Sequence, residues 1–140
     1  MTIDVTRLKD AFSQLRITAC EPGAFKRREQ WSAFEYRDLG IAAATGGKVG
    51  AFHMRALGPC AGAQGWHWHA LDFHMVYILQ GRVTYRWEGS DRDVVAEAGA
   101  CLVQPPGGAH NVIDYSADLE VLEITMPAEY ATVPADDLDR

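Results

Sequence analysis

Four of the five histidines in this 140-residue chain fall into two short stretches, His67-Trp68-His69 with His74 close behind, and His110 after the turn Pro105-Pro106-Gly107-Gly108. Residues two apart on a strand point to the same face, so His67 and His69 present both imidazoles to one point while Trp68 faces away. The loop Ala70-Leu71-Asp72 then turns the chain, and His74 opens the next apolar run, where strand pairing can return it beside His69. His110 would close the set from a distant segment. Neutral imidazoles without thiolates suit zinc, iron, copper or nickel in a site that keeps places open for substrate. Four unrelated, hydrogen-bonded histidines would account for the same residues, and for His53, alone in its run, that is our reading.

Such a site needs rigid elements under it. Apolar positions Leu8, Phe12 and Leu15 lie three or four apart and predict a short helix over 6–15. Thereafter the pattern changes to short or alternating apolar runs: Ile17 to Cys20, Ser32 to Tyr36, Gly40 to Ala44, Val49 to Leu57, Trp66 to His69 and Phe73 to Leu79. Arg82 to Trp87, Val94 to Ala96, Ala100 to Gln104, His110 to Tyr115 and Leu119 to Thr125 continue it, separated by Gly, Pro and Asp turns. This is an antiparallel all-β domain, a sandwich or barrel. We divide it into an N-terminal helix and first strand over 1–20, the β-domain over 21–130 and a flexible acidic tail over 131–140.

The histidine stretches resemble the two motifs of the cupin superfamily. The first motif has a same-face histidine pair, a glutamate after three or four intervening residues and a glycine after six more; here His67, His69, His74 and Gly81 fit those spacings. The second runs glycine, proline, glycine, histidine and often asparagine, matched by Gly99, Pro105, Gly107 and His110, with Asp114 in the last place. Two motifs at correct internal spacing over roughly 62–114 are more specific than either alone. The first motif's leading glycine, Gly62, stands one residue close, and His74 replaces the usual glutamate.

The resemblance implies a single cupin barrel, the double-stranded β-helix or jelly roll, with a short N-terminal helix. It implies one divalent metal held by His67, His69, His74 and His110, with Fe2+ favoured over Mn2+, Zn2+, Ni2+ or Cu2+. Without the glutamate the protein adds no negative charge to the ion, which therefore favours an anionic ligand such as an enolate. This chemistry resembles that of all-histidine iron cupins that cleave β-diketones with dioxygen. A metal-dependent lyase or isomerase on a carbonyl substrate, or a small-molecule binder without turnover, are the competing expectations. Small cupins also make a homodimer through sheet packing the expected assembly.

Polar helpers for the reaction are Gln64, Gln104, Arg55 and Glu123. Arg55 would anchor a carboxylate if it points inward, and Glu123, sharing a face with Val121 and Thr125, would be a buried acid or base. Trp66, Trp68, Phe73, Tyr77, Tyr85 and Trp87 would wall the pocket or simply fill the core. A net charge of −6 excludes a basic nucleic-acid footprint, and no run is long and apolar enough to cross a bilayer, so we expect a cytoplasmic protein. Cys20, Cys60 and Cys101 lack the spacing of a zinc knuckle or disulfide framework and read as reduced, structural residues.

Overall fold

Turn residues cut the chain into short runs, and most of them satisfy their backbone by pairing with a neighbouring strand. A computed structural model describes residues 14–139. Its elements are β1 (Lys26–Arg27), β2 (Phe34–Asp38), α1 (Ile41–Ala44), β3 (Gly50–Ala56), β4 (His67–His69) and β5 (Phe73–Gln80). They continue with β6 (Arg82–Trp87), β7 (Val94–Glu97), β8 (Cys101–Val103), β9 (His110–Tyr115), β10 (Glu120–Met126), β11 (Thr132–Pro134) and a 3-10 turn over Asp136–Asp139. No helix among the described residues is long and apolar enough to cross a membrane.

The strands form two sheets. One has six strands in the order β1-β2-β3-β10-β5-β8, the other five in the order β11-β4-β9-β6-β7. All nine pairings among the described residues are antiparallel. The expected single closed barrel is therefore corrected: no strand ladder joins the sheets among the described residues. The edge strands explain this, because β1, β8, β11 and β7 are only two to four residues long and give no continuous ladder from one sheet to the next.

Between the sheets, alternate residues from both sides make the core. Val76, Ile78, Val83, Leu119 and Val121 are each at most 2% exposed, and Phe34, Tyr36, Tyr85 and Tyr115 pack around them. Burying each such aliphatic side chain stabilises the fold by about 1.5–3 kcal/mol, so the sandwich holds its strands firmly. The β5–β6 turn needs Gly81: its φ is 74°, and an added Cβ would lie 2.3 Å from Ser116 Oγ. That is the glycine the first motif ends on.

Elsewhere the elements depart from the sequence reading. The helix over 6–15 lies almost wholly outside the described residues. Ile17 to Cys20 is not a strand, and Gly40 to Ala44 gives the helical turn α1 instead. Alanine prefers a helix, and Asp38 Oδ1 accepts the Gly40 N–H at 2.8 Å to turn the chain into it. Residues 131–140, read as a flexible tail, contribute β11, which pairs with β4. Cys20 and Cys101 are exposed rather than buried.

Candidate metal centre

Pairing of β4 with β9 sets His67 directly opposite His110, and β11 on the other flank sets Thr132 opposite His69. The strand repeat then turns His67, His69 and His110 to the same inner face. Their ligand atoms all lie within 4.8 Å of one another. The His67 ring centre is 4.5 Å from that of His110 and 5.0 Å from that of His69.

Hydrogen bonds on the back of each ring decide which nitrogen is presented. His67 Nδ1 donates to the Gly65 carbonyl at 2.9 Å and His110 Nδ1 to the Gly108 carbonyl at 3.1 Å. A carbonyl only accepts, so both rings carry their proton on Nδ1 and leave the Nε2 lone pair free. His69 Nδ1 lies 2.8 Å from the Thr132 hydroxyl, which can accept its proton or donate to it and in either case holds the ring in place. The Gly65 N–H donates in turn to Asn111 Oδ1 at 2.9 Å, and Gly65 holds φ at 98° in this turn. Such outer contacts fix ring orientation in metal sites.

Burial, then repulsion from neighbouring imidazoles, pushes His69 down to about 3; burial, then His67, pushes His110 down to about 4. Burial also lowers His67, against its bond to Gly65. At neutral pH the three rings are uncharged, the form a metal takes. Three neutral nitrogens on one rigid face therefore fit a divalent ion.

A model of the cupin domain family matches residues 54–125, just over half of the chain and including all three histidines. The chain belongs to the cupin domain family. Solved structures show the same fold at low identity. KdgF from Halomonas sp. is 16% identical with a TM-score of 0.63, over 88% of this chain and 99% of that one. A predicted oxalate decarboxylase from Thermotoga maritima is 22% identical with a TM-score of 0.64, over 81% and 99%. The polyketide cyclase RemF from Streptomyces resistomycificus is 14% identical with a TM-score of 0.64, over 86% of each chain. No curated protein sequence matches.

In this cupin the opposite sheet supplies the remaining groups. His74 of β5 is buried, its ring centre 5.2 Å from His69 and 6.5 Å from His110, and it stands outside the set of three. Its Nε2 is 3.3 Å from Glu123 Oε2 of β10, an ion-pair distance without hydrogen-bond alignment. Tyr130 donates its hydroxyl to Glu123 Oε1 at 3.3 Å. Burial pushes the Glu123 carboxyl up, but His74, His69 and Arg28 outweigh it and hold the group below its ordinary range. It is a carboxylate at neutral pH.

A cavity of about 70 Å³ lies between these groups. Gln64 and Gln104 line it, and Gln104 Oε1 is buried with no hydrogen-bond partner among the described residues. Arg55 does not reach it. That residue stands opposite Glu35 and Glu120 in the strand register, binds the Glu35 carboxylate and covers the Phe25 ring. Of the aromatic residues proposed from sequence, Tyr85 lines the cavity, while Trp31, Phe34, Tyr36 and Tyr130 supply the rest of its aromatic wall. Burial, then the Glu123 charge, pushes Tyr36, Tyr85 and Tyr130 well above the ordinary tyrosine range, so their hydroxyls stay protonated.

The His74 and Glu123 pairing makes a distinctive expectation. His74→Glu would put a second carboxylate at about the same place, and two acids that close share a proton, so Glu123 would no longer stand as a lone carboxylate. Metal content should stay near one ion per chain, because the three-histidine face is intact, while turnover falls by about 100-fold. Metal analysis beside a rate assay checks this, and loss of the ion would instead make His74 an indispensable ligand.

Proposed function

We propose that this cupin is a metal-dependent enzyme acting on a small enolisable dicarbonyl, with iron(II) as its ion and carbon–carbon cleavage by dioxygen as its reaction. The observation that carries the proposal is Glu123: a partly buried carboxylate faces three neutral imidazoles across a cavity walled by aromatic rings. A divalent ion held by His67, His69 and His110 would polarise the substrate's oxygens and acidify the carbon between them.

The protein's own groups do the rest. Glu123 accepts the proton from that carbon, and His74, within ion-pair distance, steadies the carboxylate before transfer. Tyr130 orients the other carboxylate oxygen. Gln104 Oε1, buried and unpartnered, is an acceptor for a substrate hydroxyl or enol proton. The walls formed by Phe34, Tyr36 and Tyr85 exclude water and keep the electrostatics strong. A predicted oxalate decarboxylase and a polyketide cyclase carry different reactions on this fold, so the choice rests on the site and not on the likeness.

Proton transfer at Glu123 needs no oxidant, which favours one second reading, a carbonyl isomerase or lyase using the same groups. The deciding assay is metal analysis of fresh protein, then iron(II) reconstitution and oxygen-electrode traces with 2,4-pentanedione and related 1,3-dicarbonyls. Stoichiometric oxygen uptake supports the dioxygenase. Turnover of a carbonyl substrate without oxygen uptake transfers the site to the second reading.

A further inference from the structure

Arg28 sits just after β1, on the rim where the metal-site cavity meets an outer groove, and it lines both together with Trp31 and Tyr130. Its guanidinium carbon is 4.1 Å from the centre of the Tyr36 ring and 4.5 Å from that of Phe52. The two rings stand at 87° to one another, so the guanidinium lies flat on at most one of them, and ring contacts of this kind hold the cation without using up its N–H donors on an oxygen acceptor. Arg55, Arg82 and Arg86 each have a carboxylate, on Glu35, Asp114 and Asp93. Arg28 has no ion pair and no side-chain hydrogen bond among the described residues, although it is half-buried and Glu129 lines the same outer groove.

We propose that Arg28 anchors a carboxylate of the substrate at the cavity rim, which makes the substrate a dicarbonyl acid and not an uncharged dicarbonyl. The dicarbonyl half of this statement rests on the function proposed above; the carboxylate half rests on Arg28. Charge points the same way. A divalent ion among the three neutral imidazoles, with Arg28 and Glu123 beside it, leaves the cavity net positive. An enolate that also carries a carboxylate brings two negative charges, whereas a plain diketone leaves the guanidinium uncompensated in a partly dry site. The planar fork of two N–H groups matches the two oxygens of a carboxylate.

The test compares two ligands of equal chain length, 4,6-dioxoheptanoate and 2,4-heptanedione, by calorimetry on the iron(II)-loaded protein without oxygen. Wild type should bind the acid about 10- to 100-fold more tightly, the range of one charge-assisted fork. Arg28→Gln should erase that gap and leave 2,4-heptanedione within about twofold, and Arg28→Lys, which keeps the charge but loses the fork, should fall between. A gap that persists in Arg28→Gln, or no gap in wild type, overturns the proposal. Glutarate titrated into the metal-free protein separates the two claims. If neither diketone binds but glutarate does, and Arg28→Gln abolishes it, the dicarbonyl reading fails and the carboxylate anchor stands. If neither diketone binds and glutarate binding is absent or indifferent to Arg28, the anchor is refuted as well. Inorganic phosphate displacing glutarate at lower concentration would replace the carboxylate by a phosphate.

Discussion

His67→Ala and His110→Ala should each reduce bound metal from near one ion per chain to below about a tenth, because either change leaves two nitrogens where three converge. These two are expected to be equivalent, since they face each other across the β4–β9 pair and each has its Nδ1 tied to a backbone carbonyl. Asn111→Ala should act more gently. It removes the acceptor of the Gly65 N–H, loosening the turn whose carbonyl aims His67, and outer-contact changes of this kind weaken metal affinity by about 10- to 100-fold. Metal analysis after dialysis against a weak chelator orders the three variants, with circular dichroism to show that each retains its strands. Equal metal retention in His67→Ala and wild type would remove the centre from the account.

Why the histidines were readable from sequence while much of their setting was not follows from distance along the chain. The same-face geometry of His67 and His69 is a local property of one strand, and the proline–glycine turn before His110 is a local signal too. The choice between inner and outer face across strands is not local. Arg55 and Glu123 read alike in sequence, each in an alternating strand, yet the β3–β10 register sends Glu123 inward with Phe52 and Arg55 outward with Glu120. Glu123 thus meets His74, and Arg55 meets Glu35.

Arg28, Trp31, Thr132 and Tyr130 escaped for a related reason. Arg28 and Trp31 follow a two-residue exposed strand with no apolar alternation, and Thr132 stands in a segment whose proline and acids resemble a tail. Only pairing of β11 with β4 reveals that Thr132 backs His69. Barrel closure was likewise beyond a residue pattern, because alternation shows that a strand has an inner face and says nothing about what its edges join. The two-sheet arrangement still does what the site requires: one sheet holds the three imidazoles and the other brings His74 and Glu123 to face them.

Glu123→Gln tests the chemistry that this opposition allows. The amide matches the carboxylate in size and can still accept from Tyr130, so the cavity keeps its shape, but it cannot take a proton. We expect kcat to fall by about 100- to 10,000-fold with metal content unchanged and KM moved little, the pattern of a group that acts in the transition state. The pH profile gives the same test a second reading. Burial raises the Glu123 carboxyl, but His74, His69 and Arg28 hold it below the ordinary carboxylate range. The base form therefore persists into acid, and wild-type activity should fall only as the pH drops through that low value. Glu123→Gln should lose this acid limb along with the rate. A variant that keeps full turnover would leave the carboxylate a structural partner of His74, and one that loses its metal would make Glu123 a ligand.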